Sequence, residues 1–185
     1  MDALVRLLES GDEEVALDLA ALQVARIEYP DLDPAPFLSV LDSHARELAA
    51  KIKPDAGGLD FVAELNQYLF DDLGFRGNID DYYDARNSCL NEVLTSRTGI
   101  PITLSVIYME ISRRLGRPVW GVGLPGHFIV RYQDDLWGAY LDPFHEGRVL
   151  SESECIDLAR QATGEEIEAG AATLAPVTKR QIVVR

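Results

Sequence analysis

Residues 99–142 read GIPITLSVIYMEISRRLGRPVWGVGLPGHFIVRYQDDLWGAYLD, and the change of period inside this stretch decides the fold. Pro101 pre-sets the backbone angle of a first helical position. Leu104, Val106, Ile107, Met109 and Ile111 then spread over most of a helix circumference, so the spacing predicts a central, buried helix over Ile102–Leu115. Arg113 and Arg114 favour its C-terminal end, where the backbone dipole is negative, and Gly116 is a natural cap. Beyond it the runs Val119–Leu124, His127–Tyr132 and Trp137–Leu141 are short and rich in β-branched and aromatic residues. They predict an antiparallel sheet packed on that helix, and hence an α+β fold.

Working outward, the first third reads as antiparallel helices. Val15, Leu19, Leu22 and Ile27 recur near three-four spacing over Asp12–Glu28 until Pro30, Pro34 and Pro36 end the pattern. Pro36 opens a second helix carrying Phe37, Leu41, Leu48 and Ile52, and Leu59–Phe70 forms a third. Gly74–Tyr83 is polar and aromatic without a period, so it reads as a surface loop. Asn87 or Ser88 can cap a further helix with Leu90, Val93 and Leu94 on its apolar face, stopped by Gly99. Ser151 and Glu154 stand at capping-box spacing at the head of one more. The tail beyond Pro176 has no terminator and reads as a chain that continues past Arg185. The division is a helical segment 1–73, a core 74–150 and a C-terminal helical segment 151–185, joined in one compact unit.

The 185 residues carry 17 Lys plus Arg against 31 Asp plus Glu, a net charge of -14. Such a surface repels phosphates, which speaks against nucleic acid as a partner. Cys89 and Cys155 match no zinc spacing, and the sequence reads as reduced and cytoplasmic. Met1–Ser10 lacks the basic flank and apolar block of a signal peptide, and no apolar run reaches spanning length, so no membrane is expected.

The chemistry concentrates at His127–Asp142. Pairing 127–132 with 137–142 around Gln133–Leu136 places His127 directly across from Asp142, with opposed Cβ atoms about 4.5 to 5.5 Å apart. That arrangement can orient an imidazole for general-base work, or simply pin the edge of a hairpin. Gly121, Pro125, Gly123 and Gly126 leave little bulk around the imidazole, as suits a site mouth or a plain turn. Cys89 is the first candidate nucleophile, because a helix start favours a thiolate, although free cysteines are commonly small buried hydrophobes. Cys155 reads as packing and His44 as a solvated residue. His145 follows Asp142 closely and either joins the site or sits in a loop. His127, Asp142 and His145 lack a second group of ligands, so no metal and no other cofactor is expected.

The text NSCLNEVLTSRTGIPITLSVIYMEISRRLG, GVGLPGHFIVRY and LDPFHEG resembles the bacterial SirB family of transglutaminase-like proteins, with Gly99-Ile100-Pro101, Pro125-Gly126-His127-Phe128 and Asp142-Pro143-Phe144 in the same order. The resemblance covers about Asn87 to Gly147. It implies a papain-like core in which His127 and Asp142 occupy the histidine and aspartate positions of active transglutaminase-type enzymes, with Asn87, Pro125, Gly126 and Phe144 around a binding cleft. The usual Gly-x-Cys at the core helix falls here on Gly99-Ile100-Pro101, and proline has no nucleophilic atom. Thr103 and Ser105, further along, carry only weakly nucleophilic hydroxyls. The resemblance also implies tetratricopeptide-like helices after the core, so a protein partner or the chain's own further repeats is expected. Two readings follow: a non-catalytic binding or regulatory scaffold, or a cysteine-dependent hydrolase or acyltransferase using Cys89, His127 and Asp142. A third is an acidic surface that docks a basic partner.

Overall fold

The structure is a computed structural model that describes residues 4–5, 11–12, 15–168, 170 and 172–185. The reading of the N-terminus as free of a signal peptide falls largely on residues outside these. Leu4 and Val5 are helical, and from residue 15 on the described chain forms α1 (Leu17–Ala25), α2 (Ala35–Lys51) and α3 (Gly58–Asn66), the last running into a π-helical turn over Gln67–Asp72. That turn closes with the amide of Leu73 donating to the Tyr68 carbonyl at 3.0 Å. Pro36 stands in the first turn of α2, where its missing N–H would have had no helical partner anyway.

The surface loop expected at Gly74–Tyr83 is interrupted by a two-residue strand, β1 (Arg76–Gly77), which pairs in parallel with β2 (Thr98–Gly99). Between them lie a 3-10 turn (Ala85–Ser88) and α4 (Leu90–Ser96). The cap of α4 is Cys89 rather than Asn87 or Ser88, and the helix ends at Arg97, which takes a left-handed conformation with φ 60°, rather than at Gly99. Asn87 does not cap because its side-chain oxygen already accepts from Asn78 Nδ2, while its own Nδ2 donates to the carbonyls of Asp81 and Tyr82.

The central helix α5 (Pro101–Arg114) and the strands β3 (Val119–Leu124), β4 (His127–Gln133) and β5 (Gly138–Asp142) follow the expected plan. A fourth strand, β6 (Arg148–Leu150), completes an antiparallel sheet in the order β3-β4-β5-β6. The helix α6 (Glu152–Thr163) starts with the expected Ser151–Glu154 capping box, and a short α7 (Lys179–Val183) occupies the tail. Alternation along the strands sends Phe128, Val130, Tyr132 and Leu141 into the core shared with α5 and the N-terminal helices. Ile129, Val122, Tyr140 and Leu150 meet Cys155, Ile156 and Ala159 of α6 on the other side. Both faces of the sheet are therefore covered, and the molecule is α+β. Among the described residues no helix is long and apolar enough to cross a membrane.

The β4–β5 register differs from expectation by two residues: Val130 opposes Leu141 and Gln133 opposes Gly138. The cause is Asp134. One of its carboxylate oxygens accepts from the amides of Leu136 and Trp137 at 2.8 and 2.7 Å, which makes Asp134 the first residue of the turn and carries Gln133 into the strand.

The paired arginines stand in the last turn of α5, as expected. Beyond any dipole effect, Arg114 ties three segments together, bonding Asp18 of α1 at 2.6 Å, Asp42 of α2 at 2.7 Å and Glu110 on its own helix at 2.7 Å. Asp18 and Glu110 are buried. Burial pushes the Asp18 carboxyl up, but Arg114 together with the Leu19 amide and Glu110 more than offsets this and holds it below its usual range. At Glu110 desolvation prevails over both arginines, and its carboxyl is raised.

Candidate functional site

A two-residue shift preserves the parity of side chains, so His127 and Asp142 still share a face and meet diagonally instead of directly. His127 opens β4 immediately after a turn in which Gly126 has φ 69°, a conformation that Pro125-Gly126 can adopt without the strain a side chain would bring. Asp142 closes β5 and caps the 3-10 turn Pro143–His145, with Oδ1 accepting from the Phe144 amide at 3.0 Å. Its other oxygen, Oδ2, lies 2.9 Å from His127 Nε2 and 2.8 Å from His145 Nδ1. Asp142 is 1% exposed, whereas the His145 side chain is 47% exposed. Burial alone would raise the Asp142 carboxyl, but the bonds and charges of His127 and His145 outweigh it and hold the group below its ordinary range.

The turn that carries His145 is fixed from behind. Tyr108 of α5, fully buried, donates to Asn66 Oδ1 at 2.9 Å, and Asn66 Nδ2 donates to the Gly147 carbonyl at 2.9 Å. A side chain at Gly147 would meet Asn66 Oδ1 at 2.2 Å, so the glycine is required by close approach as well as by its φ of 70°. Phe144 sets its ring edge-on to His127, with centroids 6.1 Å apart, and to Tyr82 at 5.9 Å.

His127, Gly126 and Phe128 line a cleft of about 210 Å³ together with Tyr82, Ile100, Pro101, Ile102, Leu124 and Arg185. The start of α5 thus faces the same cleft as His127, and it presents isoleucine and proline there.

The other singled-out residues are placed differently. Cys89 is buried, and its thiol faces the Ala85 carbonyl at 3.8 Å. It is not among the residues lining the cleft. Desolvation, with the nearby charges of Glu28, Glu92 and Asp84, raises the thiol pKa, contrary to the lowering expected from a helix start. Asn87 lies beneath the 78–82 loop, accepting from Asn78 Nδ2 at 2.9 Å, and its carbonyl accepts from Thr103 Oγ1 at 2.8 Å. That bond commits the Thr103 hydroxyl proton. Ser105 is fully buried. Cys155 is packed against the sheet with its thiol pushed up to about 12 by burial.

His44 is half-buried rather than solvated, its Nδ1 within 2.9 Å of Tyr68 Oη, and burial lowers its pKa. His145, left open between site and loop, joins the site. Its signal was the Asp-x-x-His spacing, which a 3-10 turn of three residues stacks on one side.

A family model described as the transglutaminase-like superfamily matches residues 35–185. Among similar proteins are UPF0162 proteins of Xylella fastidiosa, 42% identical over 177 residues, which is 94% of this chain and 63% of theirs. A UPF0162 protein of Pseudomonas aeruginosa is 33% identical over 177 residues, with 95% and 63% covered. F-box only protein 21 of Mus musculus is 41% identical over 99 residues, 49% of this chain and 16% of that protein. The chain thus spans less than two thirds of the bacterial relatives it matches. No solved structure matches. A central helix on an antiparallel sheet, with the family match running from α2 to the last residue, places this chain in the transglutaminase-like superfamily.

Proposed function

We propose that this chain is a non-catalytic member of its superfamily, a binding scaffold whose cleft at His127 holds a segment of protein. The observation that carries the reading is the residue at the start of α5. Pro101 lines the cleft with His127, so the point where a thiol would face the imidazole bears a ring with no nucleophilic atom. Cys89 does not supply the deficit, because it is buried and its thiol is raised by desolvation and surrounding carboxylates. A thiolate, not a thiol, is the nucleophile in acyl transfer.

In this reading His127 and Asp142 shape and polarise the cleft instead of moving a proton to a leaving group. A match over 99 residues that occupies only 16% of F-box only protein 21 supports a module that works inside longer proteins. Kinship with SirB-type proteins, a cytoplasmic setting and a partner drawn from another protein or from helical repeats of a longer chain belong to the same proposal.

The test is alkylation of the full chain by iodoacetamide across pH, with the modified cysteine located by peptide mass. The scaffold reading expects slow labelling of Cys89 with the same pH profile in His127→Ala. Fast labelling near neutral pH that slows in His127→Ala, accompanied by hydrolysis of a p-nitrophenyl ester, would overturn it in favour of a thiol enzyme.

A further inference from the structure

His127 Nε2, Asp142 Oδ2 and His145 Nδ1 all lie within 4.8 Å of one another, and both nitrogens stand 2.8–2.9 Å from the one carboxylate oxygen. We propose that these three groups form a binding site for a borderline divalent metal ion, with Zn2+ as its preferred occupant.

Three ligands each about 2.0 to 2.1 Å from a single ion are separated from one another by roughly 2.8 to 3.4 Å in octahedral or tetrahedral arrangements. The two nitrogen-to-oxygen separations, 2.9 and 2.8 Å, match those edges, and the two nitrogens lie within 4.8 Å of each other, so an ion enters as the imidazoles turn from the carboxylate oxygen toward a shared centre. Two imidazoles and one carboxylate suit zinc and its neighbours in the first transition row, whereas Mg2+ and Ca2+ prefer all-oxygen sets.

The arrangement is held from outside the ligand atoms, as metal sites generally are. The Phe144 amide fixes Asp142 through Oδ1, and Asn66 anchors the far end of the turn at Gly147. His145 is well exposed, which gives an entry path and leaves the remaining coordination positions to water or to a donor from a bound molecule. The net charge of -14 draws cations toward the surface in general.

Protons balance without a co-reactant. A neutral imidazole that donates to Oδ2 moves that proton to its other ring nitrogen and offers a lone pair to the ion, and an imidazolium instead releases one proton to solvent.

The inference does not depend on the scaffold reading, since it concerns the inner ligand atoms and not what fills the cleft. Its test is calorimetric titration of the metal-free, tag-free full chain with Zn2+ in the presence of excess Mg2+, together with absorption spectra on adding Co2+. We expect one ion per chain, a dissociation constant below about 10 μM, and visible Co2+ bands. His145→Ala, which changes an exposed side chain, weakens binding at least tenfold, and His127→Gln does the same. No binding below about 1 mM, or equal affinity in His145→Ala with circular dichroism showing a folded chain, overturns the proposal while leaving the alkylation test of the scaffold untouched.

Discussion

His127 Nε2 and Asp142 Oδ2 are 2.9 Å apart although their backbones are not opposed. The bond is diagonal across the β4–β5 ladder, and it closes the end of the sheet where β5 turns away. Because Asp142 is buried and serves both histidines and the Phe144 amide, Asp142→Ala leaves several polar groups without a partner at once. We expect a loss of about 3 kcal/mol in unfolding free energy, read by urea denaturation at neutral pH.

The same carboxyl gives a pH dependence of definite sign. Its folded pKa is depressed below an unfolded value of about 3.9. Its contribution is therefore complete above about pH 4 and is lost as pH falls through the lower folded value. The stability gap between wild type and Asp142→Asn should narrow on acidification below about pH 4. A gap that widens there would contradict this account, and urea midpoints across the acid range decide it.

Gly126 is the hinge of the β3–β4 hairpin and directly precedes His127. Its φ is 69°, and a Cβ there would stand 2.8 Å from the Ala162 Cβ. Gly126→Ala should cost about 1–2 kcal/mol for the left-handed backbone, with a further penalty from the contact, seen as a lower thermal midpoint.

Arg114 holds Asp18, Asp42 and Glu110 together. Arg114→Ala removes the short ion pair to buried Asp18 and leaves buried Glu110 to Arg113 alone, and should cost about 3 kcal/mol. Arg114→Lys should recover less than half of the loss, because an ammonium cannot reproduce a planar fork that reaches three acceptors. Chemical denaturation of the three proteins checks both statements.

Much of this was legible in the residues. Pro101 and Gly116 bracket the central helix because each acts through its own backbone, and the period change at Val119 marks the strands because burial on a pleated surface selects every second side chain. The diagonal bond was missed as such because it depends on which residue starts a turn, and one aspartate at 134 decides that through two amides. Even so the shift was even-numbered, so the two partners stayed on one side. Arg97 in the left-handed region and the two-residue pairing of β1 with β2 depend on tertiary contacts and leave no local trace. The capping box of α7, Thr178 with Gln181, is present in the text, but a five-residue helix carries too little apolar periodicity to be read from it.

The family match begins at residue 35, yet α1 lies ahead of it, and Asp18 supplies one arm of the arginine cluster. Asp12 reaches still further, its carboxylate accepting from the backbone amides of Lys179 and Arg180 at the opposite end of the chain. A recombinant fragment trimmed to the matched boundary would therefore strip an anchor from both the central helix and the C-terminal one. Anyone cloning this module should keep the leading residues, because the family match begins later in the chain than the contacts that anchor these two helices do.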